Sequence, residues 1–140
     1  MLVISVVLII ALSLFFIESI LVKRSVNSIQ NRIHVNGTRG KSTVTEYIAA
    51  AMHQGGDETL AKITGTIPTI IHNGNKTGIK RSGGARVQEQ FETIRYAAKK
   101  QIKTLVLECM SINPELQKIE SRFFKPHIYI ITNIRDDHTE

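Results

Sequence analysis

A single cysteine, Cys109, occurs in 140 residues, which excludes a disulfide framework and a cysteine-rich zinc site. Three prolines and the lack of any low-complexity tract leave little room for a long linker. Charge is nearly missing from the start of the chain: residues 1–22 carry one charged side chain, Glu18. No Lys or Arg precedes Lys23, and Ile20-Leu21-Val22-Lys23-Arg24 offers no small-residue cleavage site. Both absences argue against a cleaved signal peptide and for a retained anchor.

What is present at the start is an apolar run. Twenty-two helical residues span about 33 Å, enough to cross a hydrocarbon core of about 30 Å. Apolar side chains go all round the helical wheel, so the segment is not an amphipathic surface helix. Glu18 sits near its end, where a carboxylate reaches the interface at modest cost. Lys23, Arg24 and Arg32 follow it, and the positive-inside rule then puts the rest of the chain on the cytoplasmic side. A lone cysteine agrees with that compartment. The expected location is a cell membrane crossed once, with the soluble part cytoplasmic.

Residues 23–140 hold all 18 Lys and Arg but 11 of the 12 Asp and Glu, leaving a charge of +7. One small domain fits that length. Residues 23–30 read as a polar tether and 31–140 as the domain. Residues 32–36 form a strand candidate that runs into a glycine turn at 37–40, and residues 41–53 have helical spacing, with Val44, Tyr47, Ile48 and Ala51 on one face. A second strand is expected at 59–64, followed by a loop at 65–84 containing a short hairpin about Asn73-Gly74. A helix over 86–101 places Val87, Phe91, Ile94 and Ala98 inward and turns Glu89, Glu92, Arg95 and Lys99 away. Strands at 103–108 and 127–132 flank a helix that Asn113 caps and Pro114 begins, continuing through Leu116 and Ile119. Strands alternating with helices predict an α/β fold, a parallel sheet with helices on both faces.

The turn Asn36-Gly37-Thr38-Arg39-Gly40-Lys41-Ser42-Thr43 lies between a strand and a helix, the context in which glycine turns bind phosphate. Glycines let backbone N–H groups close on the anion, Lys41 reaches the terminal phosphates, and the Ser42 hydroxyl suits a magnesium ion bridging them. The full Walker pattern wants a glycine where this chain has Val35, so the motif match is partial. Two later strands end in groups suited to a metal: Glu108 after one, and Asn133-Ile134-Arg135-Asp136-Asp137-His138 after the other. In a doubly wound sheet such strand ends can converge on the phosphate loop. Taken singly, Glu108 could equally be a solvated residue leaving the sheet. Cys109 reads as a buried small side chain and not a nucleophile. His34, His53, His72 and His127 show no ligand spacing and receive no role.

Together, residues 37–43, Thr64-Gly65-Thr66, Glu108 and the Asn133-x-x-Asp136-Asp137-His138 string resemble the central domain of Mur-type ligases. In that group, which includes the folylpolyglutamate synthases, the missing Walker glycine is normal. The anchor, Val35-Asn36-Gly37 with residues 39–45, and Glu108-Cys109-Met110 with Asn113-Pro114 further resemble the ligase subunits of poly-γ-glutamate synthases of capsule biosynthesis. The resemblance implies an ATP-dependent acid–amino-acid ligase in which a carboxylate attacks the γ-phosphate and the amine of glutamate displaces phosphate from the acyl phosphate. It implies ATP held by Gly37, Thr38, Arg39, Gly40, Lys41, Ser42, Thr43 and Asn133, and Mg2+ held by Ser42, Glu108 and His138. Lys41, Glu108 and His138 become the catalytic set, with Gly65 and Thr66 near the transferred phosphate.

The implied partners are glutamate, the growing poly-γ-glutamate, the membrane, and other membrane subunits of a bacterial synthase and export complex. The resemblance also implies a lysine beyond His138 and a further C-terminal domain. Neither falls within these 140 residues, so the expectation is an N-terminal portion that is inactive alone. A competing reading is a membrane-tethered nucleotide-binding regulatory module without ligase activity. The +7 charge does not indicate nucleic acid: the basic residues are spread and no aromatic-basic recognition motif accompanies them.

Overall fold

The computed structural model describes residues 2–65, 67–80, 86–111 and 113–135. Ten elements follow one another along the chain: α1 (Leu2–Ser28), β1 (Asn31–Asn36), α2 (Lys41–Gln54), β2 (Thr59–Ile63), β3 (Thr69–His72), β4 (Asn75–Gly78), α3 (Gln88–Lys99), β5 (Thr104–Glu108), α4 (Pro114–Phe124) and β6 (Ile128–Ile131). The six strands form one sheet in the order β4-β3-β2-β5-β1-β6. β2, β5, β1 and β6 run parallel, and the β3–β4 hairpin adds two antiparallel strands at one edge. Asn73 and Gly74, both at positive φ (47° and 82°), make the tight turn between β3 and β4.

Strand alternation sorts the core into two layers. Ile33, Val35, Ala61 and Val106 face α2, where they pack with Ala49, Val44 and Ile48. Leu60, Leu105 and Leu107 point the other way, onto Val22, Val26, Ile94, Ala97 and Phe124 of α1, α3 and α4. Register fixes this: Val106 lies opposite Ile33 on one side and Ala61 on the other. Helices therefore cover both faces of a mostly parallel sheet, as the alternation of elements predicts.

Four details differ from the sequence reading. In α2 the buried residues are Thr45 and Ala49, while Tyr47 is 70% exposed and Ala51 is also exposed. Small side chains let the helix approach the sheet closely, and the bulky ring is turned out. In α4 Leu116 and Ile119 are exposed, and Glu120 and Phe124 are buried in their place. Glu89 does not simply face solvent: its Oε2 lies 3.3 Å from Nζ of the fully buried Lys62. The Asn113 cap is as expected, its side chain accepting from the N–H groups of Glu115 and Leu116.

The fourth difference concerns α1, which is long and apolar enough to cross a membrane. It does not end at Val22. The helix runs to Ser28, and Val22, Val26 and Ile29, spaced i, i+4, i+7, join the core beneath α3. Glu18 lies 3.5 Å from Arg95 of α3 at the start of this docked stretch. The segment read as a polar tether is thus mostly helical and part of the domain's packing. Ile29→Ala is expected to destabilise the domain by about 2–5 kcal/mol, as for other buried Ile truncations, in urea unfolding of the solubilised protein. A solvated tether would give a change within about 0.5 kcal/mol.

Candidate nucleotide and metal site

The site lies where the connections diverge. The crossover from β1 to β2 passes through α2 on one face, and that from β5 to β6 passes through α4 on the other. The carboxyl ends of β5, β1 and β6 are adjacent there, which is where open α/β sheets bind ligands.

The glycine turn leaves β1 at Asn36, whose Oδ1 accepts from Gly37 N at 2.8 Å. Its Nδ2 donates to Gln117 Oε1 (2.9 Å) and the Tyr129 hydroxyl (2.8 Å), tying the strand end to α4 and β6. Gly37 has φ +133°, and a Cβ there would lie 2.1 Å from Thr132 Oγ1 and 3.0 Å from both N and O of Asn133. Gly40, at φ +81°, opens α2, whose first intrahelical bond runs from Val44 N to Gly40 O. The N–H groups of residues 41–43 precede that bond and point out of the helix start, a ready anion cradle. Lys41 Nζ donates to Gly37 O at 2.7 Å, so the ammonium lies across the turn's concave side.

Glu108, 3% exposed at the end of β5, faces the first turn of α2. Ser42 Oγ donates to its Oε2 at 3.0 Å and its Oε1 at 3.2 Å, and Thr64 N donates to Oε2 at 2.9 Å. Gly65 keeps this corner open: a Cβ there would meet Ser42 Oγ at 3.1 Å. A hydroxyl and a carboxylate side by side are hard oxygen donors, the set that suits Mg2+. Lys41 and Ser42 at the start of α2 and Glu108 at the end of β5 are thereby brought to one place.

Asn133 is tied to the phosphate loop. Its Oδ1 accepts from Arg39 N (3.1 Å), its Nδ2 donates to Arg39 O (2.9 Å), and its carbonyl accepts from Thr38 N (3.1 Å). Thr132 Oγ1 donates to the same Arg39 carbonyl at 2.7 Å. Asn133 braces the phosphate loop from β6. Thr66, Asp136, Asp137 and His138 lie outside the described residues.

Sequence reasoning missed a buried polar layer behind the strand ends, formed by His34, Gln90 and Glu120 with Cys109. Burial raises the carboxyl pKa of Glu120, but hydrogen bonds and charge from His34, with donation from Gln90 and Met110 N, outweigh it and leave the pKa below the ordinary carboxylate range. Burial, with Glu120 nearby, pushes the Cys109 thiol up to about 12, which fits an inert buried side chain. One signal was legible: Gln90, Ile94 and Ala97 share the inward stripe of α3 at i, i+4, i+7. Glu120 one turn before the buried Phe124 was the other.

Residues 35–140 match the Mur ligase middle domain. The chain is 32% identical over 122 residues to the capsule biosynthesis protein CapB of Bacillus anthracis, covering 84% of this chain and 26% of that protein. It is 33% identical over 141 residues to the PGA synthase CapB of Bacillus subtilis (strain 168), covering 95% of this chain and 36% of the relative. The chain thus spans about a quarter to a third of the length of these relatives. No solved structure matches it significantly.

Proposed function

The chain belongs to the Mur ligase family, and from that premise we propose that it is the membrane-anchored, ATP-binding part of a ligase that adds glutamate to a growing poly-γ-glutamate chain. One observation carries the reading: the Ser42 hydroxyl and the Thr64 N–H converge on the buried Glu108 carboxylate beside the glycine turn. An oxygen-only pair at the mouth of an anion cradle fits a magnesium nucleotide.

In this reading the N–H groups of residues 41–43 hold phosphate oxygens, with Thr38 and Arg39 shaping the turn. Lys41 releases the Gly37 carbonyl and sets its charge against the terminal phosphate. Ser42 and Glu108 would hold Mg2+, and His138 would serve a second ion. When bound, Mg2+ neutralises charge developing on the phosphoryl group as the substrate carboxylate is activated to an acyl phosphate. The residues around it position the groups and supply preorganised electrostatics. α1 crosses the membrane, with the domain on the cytoplasmic side and other membrane subunits of the synthase and export complex as partners.

The test is ADP formation by the full-length protein in liposomes with ATP and Mg2+, with and without glutamate. Turnover that requires glutamate is expected. Tight nucleotide binding with no glutamate-dependent turnover would replace the ligase by a regulatory nucleotide-binding module.

A further inference from the structure

The buried polar layer on the far side of the sheet from α2 reaches the site through the main chain. Gln90 and Glu120 are fully buried, on α3 and α4. Gln90 Nε2 donates to the Glu108 carbonyl at 3.0 Å and to Glu120 Oε1 at 2.7 Å. Both oxygens of Glu120 accept from Met110 N at 3.2 Å. His34 Nε2 lies 3.3 Å from Glu120 Oε1, and the Cys109 thiol lies 3.6 Å from Oε2. His34 is on β1, three residues before Gly37, and Glu108 ends β5. One carboxylate thus gathers two helices and the two strand ends that carry the phosphate loop and the acidic ligand.

Burying a carboxylate and an amide is costly, the more so because Gln90 Oε1 has no hydrogen-bond partner among the described residues, and apolar side chains of that size would pack more cheaply. What the polar pair provides is aim. The sheet lets go of residues 108–110 here: Cys109 N still donates to Val35 O of β1 at 2.8 Å, while the Glu108 carbonyl and the Met110 N–H are taken by side chains. Gln90 holds the carbonyl of Glu108, and Glu120 holds the N–H of Met110, so the residue between Ser42 and the core cannot swing. Ligand atoms of His34, Cys109 and Glu120 also lie within 4.8 Å of one another, a spacing that could hold a metal. Against it, both Glu120 oxygens are already engaged by protein donors.

We propose that Gln90 and Glu120 are positioning residues for Glu108, locking the main chain at residues 108–110 so that its carboxylate stays aimed at Ser42 and the Mg2+ position. The proposal rests on the reading of Glu108 as a magnesium ligand. It acts through orientation and not through contact with substrate.

The test compares Gln90→Met, Glu120→Gln and Glu108→Gln in the full-length protein. Mn2+ binding in the presence of ATP is followed by electron paramagnetic resonance, alongside Mg2+ titrations of turnover and metal-free nucleotide binding. Gln90→Met is expected to weaken Mn2+ binding and raise the half-saturating Mg2+ roughly 10-fold, the size seen when groups behind a ligand are lost. Metal-free nucleotide affinity should stay within about twofold, because the phosphate loop is untouched, and excess Mg2+ should restore most of kcat. Glu120→Gln, which keeps one acceptor for Met110 N, should fall between, and it carries the test if Gln90→Met does not fold. Unchanged Mn2+ affinity in both variants, with only a lower melting temperature, overturns the proposal, as does stoichiometric zinc in the purified protein that Glu120→Gln removes. If Glu108→Gln itself leaves Mn2+ binding intact, the reading of Glu108 fails; if it abolishes binding while the other two do not, only the positioning role fails.

Discussion

Lys41→Ala in the full-length protein is expected to lower ATP turnover by about 10²–10³-fold or more, the cost of removing one preorganised charge from a phosphoryl-transfer site. The expectation follows from where the ammonium sits. Its Nζ donates to Gly37 O at 2.7 Å across the turn, on the side the N–H groups of residues 41–43 face. It is half-buried and its hydrogen bond goes to the turn's own Gly37 carbonyl, so the fold should lose little. Removing it should therefore separate chemistry from stability: the melting temperature stays nearly constant while ADP formation collapses. Lys41→Arg should not rescue, because a planar fork cannot replace a point charge in a turn this tight. Near-normal ATP hydrolysis by Lys41→Ala would falsify the assignment.

That charge and its surroundings were legible in the sequence because the signal is local. A strand, a glycine turn with Lys-Ser, and a helix occupy adjacent residues, and turn chemistry is set by neighbours. The hairpin at Asn73-Gly74 was legible for the same reason, since only residues tolerant of positive φ make that turn. Glu108 was half legible: the sequence places it at a strand end, but its company with Ser42 and Thr64 depends on strand order. What failed were choices made by packing. In α2, hydrophobicity ranks Tyr47 above Ala49, yet the sheet needs the smaller side chain for close approach. In α3 and α4, polarity argues that Gln90 and Glu120 face water, and only the tertiary structure supplies partners that make their burial tolerable. At the end of the apolar run, Lys23-Arg24 resembles a boundary, while the stripe Val22, Val26, Ile29 carries the helix past it into the core.

Gly37→Ala is expected to be the most damaging glycine-to-alanine substitution among the described residues. At φ +133° an L side chain is strained whatever the space, at about 1–3 kcal/mol. Here there is no space either. The added carbon would lie 2.1 Å from Thr132 Oγ1 and 3.0 Å from the Asn133 main chain. Either the turn lifts off β6 or the end of β6 moves, and both routes break the same bonds. Thr38 N to Asn133 O, Arg39 N to Asn133 Oδ1 and Thr132 Oγ1 to Arg39 O all cross this gap. The N–H groups that cradle phosphate then lose their common aim, so nucleotide affinity should fall by roughly 10–100-fold, on the order of one or two misplaced charge-assisted hydrogen bonds. Isothermal titration with ATP and Mg2+ checks this, beside urea unfolding. A paired variant sharpens the cause: Gly37→Ala with Thr132→Gly removes the 2.1 Å contact but leaves the Asn133 backbone and the dihedral strain in place. It should recover only part of the lost affinity. Full recovery would make the threonine hydroxyl the whole obstacle, and normal affinity in Gly37→Ala alone would mean that the turn does not need its close approach to β6.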